Sequence, residues 1–162
     1  MRKPQEALPE SSRILWLRVG SDQITRVHVL SRVNWWFGHW SVALGAKVRC
    51  TGLDCSYCNS GAKQTVYYVV GVFHHRHGRM LLELRDRHRP IIEELHAHET
   101  GGVGTWLHIS RRGVAQNAPI DIEIARWEHA QEWDITGLVE SIGASSQRNE
   151  NLSNQAQNTV CL

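Results

Sequence analysis

Three of the chain's four cysteines, Cys50, Cys55 and Cys58, fall within nine residues of the stretch GHWSVALGAKVRCTGLDCSYC, Gly38 to Cys58. Sulfur gathered this tightly has three uses: a disulfide, a redox dithiol or a metal site. A disulfide scheme leaves one of the three unpaired unless remote Cys161 joins it. The N-terminal MRKPQEALPESS has no apolar run of the kind a secretory signal carries. The chain is therefore expected in the cytoplasm, where thiols stay reduced. A redox Cys-x2-Cys needs a strand-to-helix setting that lowers one thiol's pKa. Here the pair sits in TGLDCSYCNSGAK, which is rich in turn-forming residues and has no helical periodicity after it.

The metal reading fits best. A tight turn lets Cys55 and Cys58 reach one ion from the spacing Cys-x2-Cys. Cys50 supplies a third thiolate from the end of the extended segment before the knuckle, and Gly52 and Gly61 give it backbone freedom. Two sources of a fourth ligand stand open. His39 lies upstream, and the run HHRH at 74–77 lies downstream; His39 is preferred. Such a closed N/S set suits structural Zn2+.

Around the knuckle the chain reads mainly as strands. ILWLRV (14–19) alternates, with Leu15, Leu17 and Val19 on one face and Trp16 and Arg18 on the other. TRVHVL (25–30) alternates too. TVYYVVGVF (65–73) is the strongest strand, β-branched and aromatic throughout, and should pair with RMLLEL (79–84) across HHRHG. RPIIEELHAH (89–98) predicts a short helix with Pro near its start. GTWLHIS (104–110) and PIDIEIAR (119–126) predict further strands, and ITGLVESIG a last helical turn. Residues 1–12 read as a polar leader, 13–143 as one domain, and 144–162 as a disordered Asn/Gln/Ser-rich tail. Several short strands with one helix between them predict a small, partly open barrel of the OB type with the zinc knuckle inserted. A zinc ribbon packed on an antiparallel sheet fits the same strings.

Charge is unevenly spread. Residues 13–113 hold fourteen Lys/Arg against seven Asp/Glu, whereas residues 114–162 hold two against seven. The basic segment also carries ten of the twelve aromatic residues. Cations that follow phosphates and rings that stack on bases are what a single-stranded nucleic acid needs. Arg18, Arg32, Lys47, Arg49, Arg76 and Arg79 are candidate phosphate contacts, with Arg111 and Arg112. Strand alternation assigns Val66, Tyr68, Val70 and Val72 to the core and turns Tyr67 and Phe73 outward. The same logic exposes Trp16 and, with Leu107 and Ile109 inward, Trp106 and His108. Trp35 and Trp36 complete the candidate stacking rings.

The order ILWLRV, His39, Cys50, Cys55-Ser-Tyr-Cys58, VYYVVGV, RMLLEL and short helix resembles the zinc-containing OB-fold single-stranded DNA-binding proteins of tailed phages. The likeness covers about residues 13–98. It implies a metal structuring a subdomain beside a DNA cleft lined by aromatics and Arg/Lys.

Other classes find less support. A zinc deaminase needs His-x-Glu before Pro-Cys-x-x-Cys; no His-x-Glu precedes this knuckle, and Asp54 stands in the proline's place. HHRH has no nearby carboxylate cluster to hold Mg2+. No apolar run approaches the roughly 18 residues of a membrane span. The expectation is a non-catalytic, zinc-stabilised protein that binds single-stranded DNA. RNA is the alternative ligand. A protein partner in a recombination, transposition or CRISPR-type system is the alternative class.

Overall fold

The computed structural model describes residues 15–20, 23–115 and 118–142. The leader 1–12 and the tail 144–162 read from the sequence lie outside the described residues.

The strands are β1 (Thr25–Val29), β2 (Asn34–Ser41), β3 (Ala46–Arg49), β4 (Thr65–His74), β5 (Gly78–Leu84), β6 (Thr105–Arg111) and β7 (Ile120–Trp127). Helices α1 (Ser56–Asn59), α2 (Arg89–Ala97) and α3 (Thr136–Ser141) are short. All the strands join one antiparallel sheet in the order β3-β2-β4-β1-β6-β7, with β5 on β4. The ten-residue β4 organises it. Thr65–Val69 pair with β2 and Val72–Phe73 with β1, while Tyr68–His74 pair with β5. Among the described residues the sheet does not close on itself.

The aromatic segment NWWFGHW, which carries no clean alternation of polarity, is a full strand, β2. The segment from Leu15 is no ladder strand. It touches β5 at one parallel bridge, Trp16 to Leu81. The Leu17 N–H donates to Leu81 O at 2.9 Å, and the Leu81 N–H to Leu15 O at 2.8 Å. Alternation holds there only in part: Val19 is buried, but Leu15 is exposed.

Apolar side chains bury on both sides of the sheet. One cluster gathers Val27, Val29, Val70, Val72, Leu82, Leu84, Leu107 and Ile109 under Ile92 and Leu95 of α2, with Tyr68 packed against it. This is the face the sequence marks as core. The second cluster was not foreseen. Trp36, Val69 and Leu81 are covered by Ile135 and Val139, with Tyr67 and Trp133 beside them. The chain after β7 thus folds back over the face that alternation leaves open to solvent. The Trp133 N–H donates to Leu30 O at 2.6 Å and fixes the return. Gly71 permits it, since a Cβ there would lie 2.7 Å from the Trp133 ring.

Candidate metal centre and basic cleft

The β2–β3 hairpin and the turn after it bring the four sequence-predicted ligands together. His39 lies on β2 opposite Val48, and the Cys50 N–H extends the ladder to Phe37 O at 2.9 Å. A 3-10 turn at Gly52–Asp54 then reverses the chain, with Gly52 at φ +85°, a region that favours glycine. Cys55 caps α1 and Cys58 lies within it, about one helical turn further on. The ligand atoms of His39, Cys50, Cys55 and Cys58 all lie within 4.8 Å of one another. His39 Nε2 stands 3.5 Å from Cys55 Sγ and 3.4 Å from Cys58 Sγ, and the Sγ atoms of Cys50 and Cys58 are 3.5 Å apart. A disulfide requires about 2.05 Å, so these are free thiols.

The surroundings orient the ligands. His39 is 0% exposed. Its Nδ1 lies 3.0 Å from Lys63 O. A carbonyl can only accept, so Nδ1 carries the proton and Nε2 presents its lone pair to the thiols. Tyr57 stacks on the imidazole at 5.6 Å. Gln64 Nε2 donates to Cys50 Sγ at 3.2 Å. Burial pushes the Cys55 thiol up, but backbone groups of Cys58, Thr51 and Tyr57 outweigh it and bring it down to about 6. The Gly52 backbone lowers Cys50. The hydrogen bond to Cys50, burial and the charge of its neighbours push Cys58 up to about 11. Three thiolates so close resist full ionisation unless a cation joins them. Burial lowers His39, but its bonds to Cys50 and Lys63 raise it overall. The histidines of 74–77 belong to the β4–β5 turn; the cluster that could hold a metal draws its imidazole from His39.

A second feature is a cleft of about 1410 Å³. Of the residues singled out as nucleic-acid contacts, Trp16, Arg18, Trp36, Lys47 and Arg111 line it. Trp40, Arg85 and Arg87 line it as well, though the sequence reading did not select them. Trp40 is 55% exposed and Trp16 36%. Among the described residues, five Lys/Arg and one carboxylate, Glu83, line this cleft. Of the missed residues, Trp40 had a signal in the sequence. Reading NWWFGHW as a strand paired with AKVR places Trp40 directly opposite Lys47.

The remaining candidates are differently placed, and some need correction. Trp36 is 3% exposed, packed on Tyr67 at 4.6 Å and capped by Arg49 at 5.0 Å, so its ring belongs to the second cluster rather than to a ligand. Tyr67 is half-buried, with Trp36 on its ring and the Lys47 ammonium 4.8 Å from its centroid. It offers no free stacking face. Arg49 bonds to the carbonyls of Val139 and, at 3.3 Å, Ile142, which ties it to the end of α3 instead of to a phosphate. Trp106 is turned outward as alternation predicts, but His28 stacks on it at 4.5 Å and Arg126 lies 5.4 Å from it. Arg32 pairs with Glu132 at 3.3 Å, and Arg112 grips Asp121 with two nitrogens. Phe73, Arg76 and Arg79 are exposed at the β4–β5 turn, with Arg79 over the Trp133 ring. Trp35 and Phe37 are exposed on β2 and meet edge to face at 5.3 Å.

The chain matches no protein-family model, no curated protein and no solved structure. Its class is defined by its own fold and site: a mainly β protein with an open antiparallel sheet and a cluster of one histidine and three cysteines able to hold a metal. Among the described residues no helix is long and apolar enough to cross a membrane.

Proposed function

We propose that the protein is a cytoplasmic, non-catalytic, OB-like module that binds single-stranded nucleic acid, with DNA preferred, and that Zn2+ holds its knuckle together. For the metal, the support is geometric and chemical. Tetrahedral zinc with Zn–S near 2.3 Å and Zn–N near 2.0–2.1 Å has ligand–ligand edges of about 3.5–3.8 Å. Three of the six separations among His39, Cys50, Cys55 and Cys58, at 3.4–3.5 Å, lie close to those edges, and all six lie within 4.8 Å. Zinc bound there would relieve the repulsion among the three thiolates. It would also tie the β2–β3 hairpin to α1.

The observation that carries the binding reading is the cleft, lined among the described residues by five cations, one acid and the exposed rings of Trp16 and Trp40. A basic groove follows a phosphate backbone, and rings within it stack on unpaired bases without regard to sequence. The experiment measures zinc per purified chain and titrates the same preparation with labelled oligo-dT, oligo-rU and duplex DNA. One zinc per chain, with oligo-dT bound ahead of the duplex, is the expected result. Absence of binding to all three probes overturns it. The exposed Trp35–Phe37 pair favours a second reading, a protein partner docked on β2. Under that reading Trp35→Ala abolishes co-purification of a partner and leaves oligonucleotide affinity unaltered.

A further inference from the structure

Among the described residues that line the basic cleft, Glu83 is the one carboxylate. It lies on β5, opposite Val69 of β4. Two cations from different parts of the chain converge on it. Lys47 reaches from β3 across the Tyr67 ring and donates to Oε2, and Arg85 forms an ion pair with its Nε 3.2 Å from Oε1. The Lys47 and Glu83 side chains are only 24% and 21% exposed, whereas Arg85 is exposed. The carboxylate therefore keeps two like charges near one another in a partly dry place, each of its oxygens facing a different cation.

That arrangement has the form of an occupied anion subsite. A phosphodiester, like a carboxylate, presents two anionic oxygens, and it accepts from an ammonium and a guanidinium in the same way. We infer that Lys47 and Arg85 form a subsite for one backbone phosphate of the bound strand, which Glu83 fills in the free protein. The inference rests on the single-stranded nucleic-acid reading and names the point where that ligand enters. On binding, the phosphate takes over both cations. Glu83, left facing a like charge, opposes occupancy and so sets the affinity. In the free protein it prevents Lys47 and Arg85 from repelling one another and holds them assembled.

The test is fluorescence anisotropy with labelled oligo-dT over a range of salt, for wild type, Glu83→Gln and Arg85→Ala. With the competing carboxylate gone, Glu83→Gln should bind about fivefold more tightly at low salt, the scale of one partly exposed ion pair. Its log–log salt slope should stay near the wild-type value, since both cations meet the phosphate in either protein. Arg85→Ala should bind more weakly, with a slope shallower by about 0.7. The Arg85 side chain is solvent-facing, so that variant decides the matter even if Glu83→Gln melts early. Oligo-dT binding by wild type, with both variants unchanged in affinity and slope, overturns the subsite and leaves the broader reading standing. No binding by wild type overturns the broader reading, and the subsite falls with it.

Discussion

The metal centre and the cleft share the β2–β3 hairpin, yet their side chains live in opposite surroundings. His39 and Cys55 are buried, their donor atoms converge on one point, and each has a partner that fixes its direction. In the cleft of about 1410 Å³, Arg18, Arg85 and Arg87 are exposed, and among the described residues a single carboxylate lines it. Converging soft donors in a dry setting stabilise a fold when an ion arrives. Dispersed cations near the surface contribute little to the fold, since exposed pairs are worth about 0–1 kcal/mol each, and such pairs can be exchanged for a polyanion. One hairpin thus carries a part whose loss should unfold the protein and a part whose loss should only blunt binding.

The sharpest way to break this division is at the metal. Structural zinc sites contribute about 10–16 kcal/mol of apparent binding energy that is also folding energy. Cys55→Ser should therefore lose both bound zinc and the thermal unfolding transition of the wild type, read by metal analysis and circular dichroism. A Cys55→Ser protein that melts like wild type would remove the metal centre from the stability side of the comparison.

Next in size is the buried ring of the cleft floor. Trp36→Ala should lower stability by about 3–5 kcal/mol in urea unfolding, as expected for a core aromatic. Gly71→Ala comes after it. Its new methyl group would meet the Trp133 ring, and overpacking of this kind costs about 1–3 kcal/mol. A neutral Gly71→Ala would mean that the segment after β7 does not rest on β4. On the binding side, Trp40→Ala and Trp16→Ala should each weaken oligo-dT binding by about 1–3 kcal/mol with nearly unchanged melting. If they melt early and bind normally, the two sides of the comparison exchange roles.

The knuckle was legible because metal chemistry is local. Ligand identity and the spacing of Cys50, Cys55 and Cys58 carry most of the information, and His39 needed only an approach along one hairpin. Strands β4 and β5 and helix α2 were legible for a similar reason, as strong propensity and short connections define them. The second apolar cluster was not. Alternation along TVYYVVGVF assumes a sheet with one buried face, as antiparallel sheets often have. Here Trp133, Ile135 and Val139 return from more than sixty residues away in sequence to cover the other face, and no local pattern announces such a contact. That one event explains why Trp36, read as a stacking ring, is packed inside, why Tyr67 is half-buried against it, and why Arg49 serves the carbonyls of Val139 and Ile142. β2 was missed because its consecutive aromatics hide the period-2 pattern, and Trp40 was missed with it.

The central claim is that dispersed cations of this cleft grip a phosphate backbone, and the salt dependence of oligo-dT binding by the zinc-loaded wild-type chain tests it most directly. Three or more phosphate contacts predict a log–log slope of about −2 or steeper, at about −0.7 per contact on a single strand. A flat dependence between about 50 and 200 mM salt, with binding otherwise intact, would contradict it.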